Sequence, residues 1–391
     1  MANGNHYKTP IRLIDHCIPD YCAVWRWVAI TAVVIALGSA SVWGQQNQSA
    51  SNPNSYQKLS ITKHVNDAKS DQAMDIADLL TVSSRDVLKI QTRLNPPLDS
   101  DSYSLARSLL PQRFTEYHTA RWVVLSDASA VWTRRQSQLL ERARHQFLRF
   151  TRRVGLQPKP LRHKLVCILF DSRDEYHDFA QKQDGVTAQW ISGYYSPKHD
   201  RVVFYNVSDS TPRKNALSQA SSTATNLPRD DADQRATATT IHEAIHQLMF
   251  HTGVQSAHIE YPLWICEGLA TAFETDVANG AFGPDHEYAP RRNRFKQLVE
   301  DQQLIDLRKL VTFARMPDDR DETVQAVYHQ SYALVTWMTR YRTDELHNYL
   351  QSMLDEPAGR PTPERQLEIF EQAFGDVDQV QRAWLRAEKR K

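Results

Sequence analysis

Apolar and polar positions follow different rhythms along the chain, and the changes of rhythm mark its parts. Trp27 to Trp43 (WVAITAVVIALGSASVW) is an uncharged apolar run, with Lys8, Arg12 and Arg26 before it and no charge after it until Lys58. Its length lies between the core of a signal peptide and a full membrane span. The basic flank predicts that residues 1–26 stay in the cytoplasm and that the body crosses. Residues 27–44 therefore read as a signal peptide or a membrane anchor, with cleavage sites on offer at Gly38, Ala40 and Gly44. The Gln-, Asn- and Ser-rich stretch that follows opens a flexible linker over 45–71.

Apolar positions return with helical spacing at Ile76, Leu79, Leu80, Val87, Leu88 and Ile90, in a helical N-terminal extension over 72–115 broken at Pro96 and Pro97. Arg121–Leu125 (RWVVL) reads as a strand. Over 132–152, Leu139, Leu140, Ala143, Phe147, Leu148 and Phe150 gather near one face of a long amphipathic helix. Leu165–Phe170 (LVCILF) is the continuous apolar run of a central strand, and Asp171 is placed to cap a helix over 172–182. Gly193, Tyr194 and Tyr195 suggest a turn before another strand, Arg201–Tyr205 (RVVFY). A polar loop over 208–230 is long enough to be functional or disordered. Beyond residue 285 the pattern is helical, near 291–302, 306–314, 324–341, 343–355, 364–373 and 376–389. Mixed strands and helices followed by helices alone predict an α+β fold. A small mixed sheet packs on a helix of the body (116–285), and a helical C-terminal subdomain follows (286–391).

Composition narrows the function. A charged fraction of 24% with a net charge of +1 leaves no basic surplus for phosphate, so no nucleic-acid partner is expected. Cys17 and Cys22 precede the apolar run, with no second pair to complete a metal site. Cys167 and Cys266 belong to the body, where they either pair or stay as buried thiols.

Chemistry concentrates at 242–246, HEAIH. Positions four apart lie one turn apart on a helix, so His242 and His246 can offer two imidazoles to one zinc ion, and Glu243 can reach a water there as general base. Alone, this pattern is common. Here Ile241, Ala244, Ile245, Leu248 and Met249 form an apolar stripe with the histidines on its flanks, Asp230 and Asp231 can cap the helix, and Gly253 follows its end. Downstream, Pro262 opens a second helix, PLWICEGLA, in which Glu267 is a lone acid in an apolar run. A buried, unpaired carboxylate is costly, and a zinc ion would resolve that cost. Gly268 permits close approach of a neighbouring helix. Met249 and Thr252 stand where a metzincin would carry a glycine and a third histidine.

HEAIHQL followed by PLWICEGLATAFE resembles the gluzincin clan of zinc peptidases, which includes thermolysin-like proteases and zinc aminopeptidases. The resemblance implies one Zn2+ per chain on His242, His246 and Glu267, with a peptide or protein substrate. Cys266 replaces the Asn or Ser common in the clan. A wider stretch, from VVLSDAS through FDSRDEY, GYYSP and VVFYNV, looks like a gluzincin-like family of unassigned function among bacterial envelope proteins. It implies a mixed sheet over the zinc helix, with an edge strand for extended substrate, and Arg201–Tyr205 is the candidate. The resemblance to the gluzincin clan also implies an oxyanion-stabilising tyrosine, matched by Tyr328 with Tyr332 in reserve. The aminopeptidases' amine-reading motif is absent.

Other polar groups have plainer readings. Glu274, on the face of Glu267, reads as a solvated charge, or else as a carboxylate orienting a ligand histidine. His251, His258, His286 and His329 read as surface residues. Arg291, Arg292 and Arg294 read as a solvated cluster, or as readers of a substrate carboxylate. The expectation is an extracytoplasmic zinc metallopeptidase, secreted or anchored in the membrane by its N-terminal segment. A catalytically silent zinc-binding envelope protein and a zinc amidase acting on cell-wall amides are the alternatives.

Overall fold

The computed structural model describes residues 95–98, 100–189, 191–207, 229–277, 279–316 and 321–389. The apolar N-terminal run, the linker, the helical spacing over 72–92 and most of the 208–230 loop lie outside them. No helix among the described residues is long and apolar enough to cross a membrane.

The strands are β1 (Thr115–His118), β2 (Trp122–Ser126), β3 (Leu165–Phe170), β4 (Gly193–Ser196) and β5 (Arg201–Tyr205), in spatial order β1-β2-β3-β5-β4. The two outer pairings are antiparallel and the two inner ones parallel. Every residue of β2, β3 and β5 is buried, because helices cover both faces. Strand alternation sorts their side chains into two cores. Trp122, Val124, Cys167, Leu169, Val202 and Phe204 face one core, and Val123, Leu125, Val166, Ile168, Val203 and Tyr205 face the other.

The second core is closed by α1 (Asp101–Leu109) and α3 (Arg173–Phe179), which runs on into a π-helical turn, Ala180–Asp184. The larger core is built on α2 (Ala130–Arg153), α4 (Arg229–His251) and α5 (Leu263–Ala272). The C-terminal helices α6 (Ala289–Glu300), α7 (Leu307–Leu310), α8 (Asp321–Tyr341), α9 (Thr343–Leu354), α10 (Pro363–Phe374) and α11 (Val377–Glu388) extend that core. The fold is thus α+β with a small mixed sheet and a C-terminal helical region, as the pattern predicts.

Some local expectations change. Arg201–Tyr205 is not an edge strand: it lies between β3 and β4, and Gly193, Tyr194 and Tyr195, expected as a turn, belong to the edge strand β4. The cap of α3 is Ser172, whose hydroxyl accepts from Glu175 N–H, rather than Asp171. Asp230 and Asp231 fall inside the first turn of α4, not before it. Cys167 and Cys266 are buried free thiols.

Candidate metal centre

Helix α4 is pinned before its histidines act. Its stripe (Ile241, Ala244, Ile245, Leu248, Met249) is fully buried in the larger core. Polar bonds fix its rotation: Trp122 Nε1 donates to Gln247 Oε1 (3.1 Å) and Thr240 Oγ1 donates to Gln136 Oε1 (2.8 Å). Helix α5 is buried along its whole length, with Pro262 at its N-cap. It lies against α8 so closely that a Cβ at Gly268 would stand 2.9 Å from Ser331 O and 2.6 Å from Val335 Cγ2. No residue larger than glycine fits there without displacing backbone. That approach sets the depth of Glu267, the preceding residue.

His242, His246 and Glu267 converge. The two Nε2 atoms are 3.1 Å apart, and Glu267 Oε2 lies 3.2 Å from His242 Nε2 and 3.6 Å from His246 Nε2. Neither oxygen of Glu267, a fully buried residue, has an aligned hydrogen bond. An orphaned carboxylate beside two imidazole nitrogens is an expensive arrangement without a cation. Zinc ligated tetrahedrally at ~2.0–2.1 Å separates its ligands by roughly 3.3 Å, and the three observed separations bracket that value. The donor set, two nitrogens and one oxygen, also suits zinc.

The surrounding groups orient this set. Glu274 lies 3.0 Å from His242 Nδ1, and Arg291 donates to both Glu274 oxygens at 2.7 Å. The carboxylate keeps the His242 proton on Nδ1 and leaves the Nε2 lone pair facing the cluster. Glu274 and Arg291 are both buried, so neither is the solvated charge expected from sequence. Arg292 is buried too, paired with Glu388. His329 is likewise buried rather than on the surface, and burial, helped by Arg291, lowers its pKa to about 3. Burial alone would raise Glu267 and Glu274. The imidazoles hold Glu267 down at about 2, and Arg291 with His242 holds Glu274 at about 2.

Glu243 points beside the cluster towards the sheet edge. Its Oε2 accepts the backbone N–H of Tyr195 on β4, at 2.8 Å. Burial lifts its pKa above the ordinary carboxylate value, against the charges of the two histidines. Such a shift moves a carboxylate towards the range useful to a general base. A Cβ at Gly193 would stand 3.0 Å from Thr239 Cγ2 and closer still to Phe204, so β4 lies tightly against α4.

Tyr328, on α8, is buried, and its hydroxyl has no hydrogen-bond partner. Burial and then the charge of Glu267 raise its pKa, which places the two groups within electrostatic reach. Tyr332 is committed elsewhere, accepting Tyr288 N–H at 2.8 Å. His242, Glu243, His246, Glu267 and Tyr328 are therefore all buried in one enclosed region, with Tyr332 turned to another partner. Sequence reasoning underrated Glu274 and Arg291 and missed Tyr195. Only the placement of Glu274 seven residues after Glu267 hinted at the first.

Fold and cluster together define an α+β protein with an enclosed His–His–Glu donor set on two helices of one core. Residues 236–358, which contain the whole donor set and Tyr328, match the profile of a family described as "Protein of unknown function (DUF1570)". No curated protein matches the chain.

Proposed function

We propose that this chain is an extracytoplasmic zinc-dependent metallopeptidase of the gluzincin type, holding one Zn2+ on His242, His246 and Glu267. The observation that carries the reading is the convergence of three donor atoms within 3.1–3.6 Å of one another, with Glu243 beside them. When bound, zinc supplies Lewis acidity, acidifying water and polarising a scissile carbonyl.

The chain's own groups have separate tasks in this reading. Glu243 takes the proton of the attacking water on a carboxylate oxygen and delivers it to the leaving amine. Tyr328 donates its unpartnered hydroxyl to the developing oxyanion. The β4 edge lies where an extended peptide would add alongside. Export rests on the Trp27–Trp43 run and its basic flank.

The enclosure favours a second reading. Every one of these groups is buried, and Glu243 is already engaged by Tyr195 N–H. A catalytically silent zinc-binding protein would look the same at rest. The substitution Glu243→Gln separates the two. On the peptidase reading the variant keeps its zinc and loses at least about 10²-fold in hydrolysis of a peptide library. Wild-type protein that carries zinc and cleaves nothing in that library supports the silent reading, and protein that refuses zinc ends both.

A further inference from the structure

A second group of metal donors sits at the far end of α4. His251 is its last residue, Asp200 lies in the turn between β4 and β5, and His163 precedes β3. One donor atom from each lies within 4.8 Å of the others. His251 Nε2 is 2.6 Å from Asp200 Oδ1, and the rings of His163 and His251 meet edge-on with centroids 5.3 Å apart. All three residues are half-buried, so an ion reaches them from solvent without opening the core.

Several features go beyond a surface ion pair. A His251–Asp200 pair needs no second imidazole, yet His163 stands against it. His163 Nδ1 lies 3.1 Å from the Lys164 carbonyl, which can only accept, so the ring proton sits on Nδ1 and the Nε2 lone pair is free. That backbone bond is how ligating histidines are commonly oriented. Asp200 is steadied on both oxygens, with Tyr195 Oη donating to Oδ1 (3.2 Å) and Ser102 Oγ donating to Oδ2 (3.5 Å). Two nitrogens and one oxygen, with room for solvent as a fourth ligand, suit zinc and similar borderline ions; calcium and magnesium prefer oxygen alone.

We propose that His163, Asp200 and His251 form a second, solvent-accessible site for a divalent ion of the zinc type. Its place suggests its task. Tyr195 gives its hydroxyl to Asp200 and its backbone N–H to Glu243, so an ion on Asp200 steadies the strand that faces the base. The ion also joins the end of α4 to the β4–β5 turn and to the entry of β3, three segments far apart in sequence.

The test is zinc content of the full chain, dialysed against buffered zinc, in wild type, His163→Gln and Glu267→Gln. Wild type should bind two equivalents. His163→Gln should lose the more weakly held one and keep the other, and zinc beyond the first equivalent should raise the Tm of wild type but not of this variant. Glu267→Gln should keep the second site, which makes the result independent of the first centre. Should either substitution unfold the chain, histidine NMR of wild type still decides, since the second equivalent must shift the His163 and His251 resonances. A single equivalent in wild type that Glu267→Gln abolishes overturns the proposal, as does an unchanged zinc content and Tm response in His163→Gln.

Discussion

His242 has a carboxylate within reach of each nitrogen, Glu274 at 3.0 Å from Nδ1 and Glu267 at 3.2 Å from Nε2. Glu274 in turn depends on Arg291, whose two hydrogen bonds neutralise it inside the core. A charged carboxylate in this position makes the imidazole a better electron donor, and its removal typically costs 10–100-fold in metal affinity. Glu274→Gln should therefore weaken zinc binding by about that factor while leaving His242, His246 and Glu267 in place, as measured by competition with a chromophoric chelator. Unchanged affinity would mean that Glu274 serves only Arg291. The histidine pair was legible in the sequence because spacing alone puts positions 242 and 246 on one helical face. Glu267 was legible because it interrupts an apolar run. Glu274 was legible only as the lesser of two readings, from its place on the face of Glu267. Its pairing with Arg291 was not, since that partnership spans a loop that carries no local signal and a charge near a helix end is ordinarily solvated.

Strand β4 shows the same limit in another form. Its four residues, GYYS, are all buried, so they lack the alternation that advertises a half-exposed edge. The longer apolar run of β5 drew the edge assignment instead, although β3 and β4 enclose it. What holds β4 in place is Asp184, at the end of the π-helical turn. It accepts from Tyr194 Oη (2.6 Å), from Ser196 Oγ (2.8 Å) and from the guanidinium of Arg201 (3.0–3.2 Å), whose side chain is fully buried. Asp184→Asn keeps the shape but leaves Arg201 buried without a counter-charge, a loss of about 3–5 kcal/mol in denaturant unfolding. Burial by itself would raise the Asp184 pKa, yet the bond to His199 and the charge of Arg201 outweigh it and hold it below 3.8. The stabilisation is therefore present above the unfolded value of 3.8 and disappears as pH falls through the lower folded value. Acidification across that window should destabilise wild type more than Asp184→Asn. Amide exchange should show residues 194–196 opening first; equal acid sensitivity of the two proteins would refute this account of the strand.

The stretch that matches a family profile, 236–358, contains every ligand of the enclosed His242–His246–Glu267 centre but not the structure that aligns them. Helix α4 takes its rotation from Trp122 on β2 and Gln136 on α2, and Glu243 is met by Tyr195 on β4. All three lie before residue 236. On the other side, Trp264 of α5 packs against Tyr349 (5.0 Å between ring centroids), Phe370 (5.7 Å) and Phe374 (6.3 Å), and the last two belong to α10, beyond residue 358. Burying one large apolar side chain is worth about 1.5–3 kcal/mol, while a domain's net stability is only about 5–15 kcal/mol. Uncovering the α4 stripe (Ile241, Ile245, Leu248, Met249) together with one side of Trp264 consumes that margin. Residues 236–358 expressed alone should therefore melt without a cooperative transition and bind zinc far more weakly than a chain spanning 95–391. Circular dichroism and equilibrium dialysis make the comparison. A cooperative melt with undiminished zinc affinity in the shorter piece would show that α4 through α9 build the centre unaided, and that the sheet and α10 serve some other purpose.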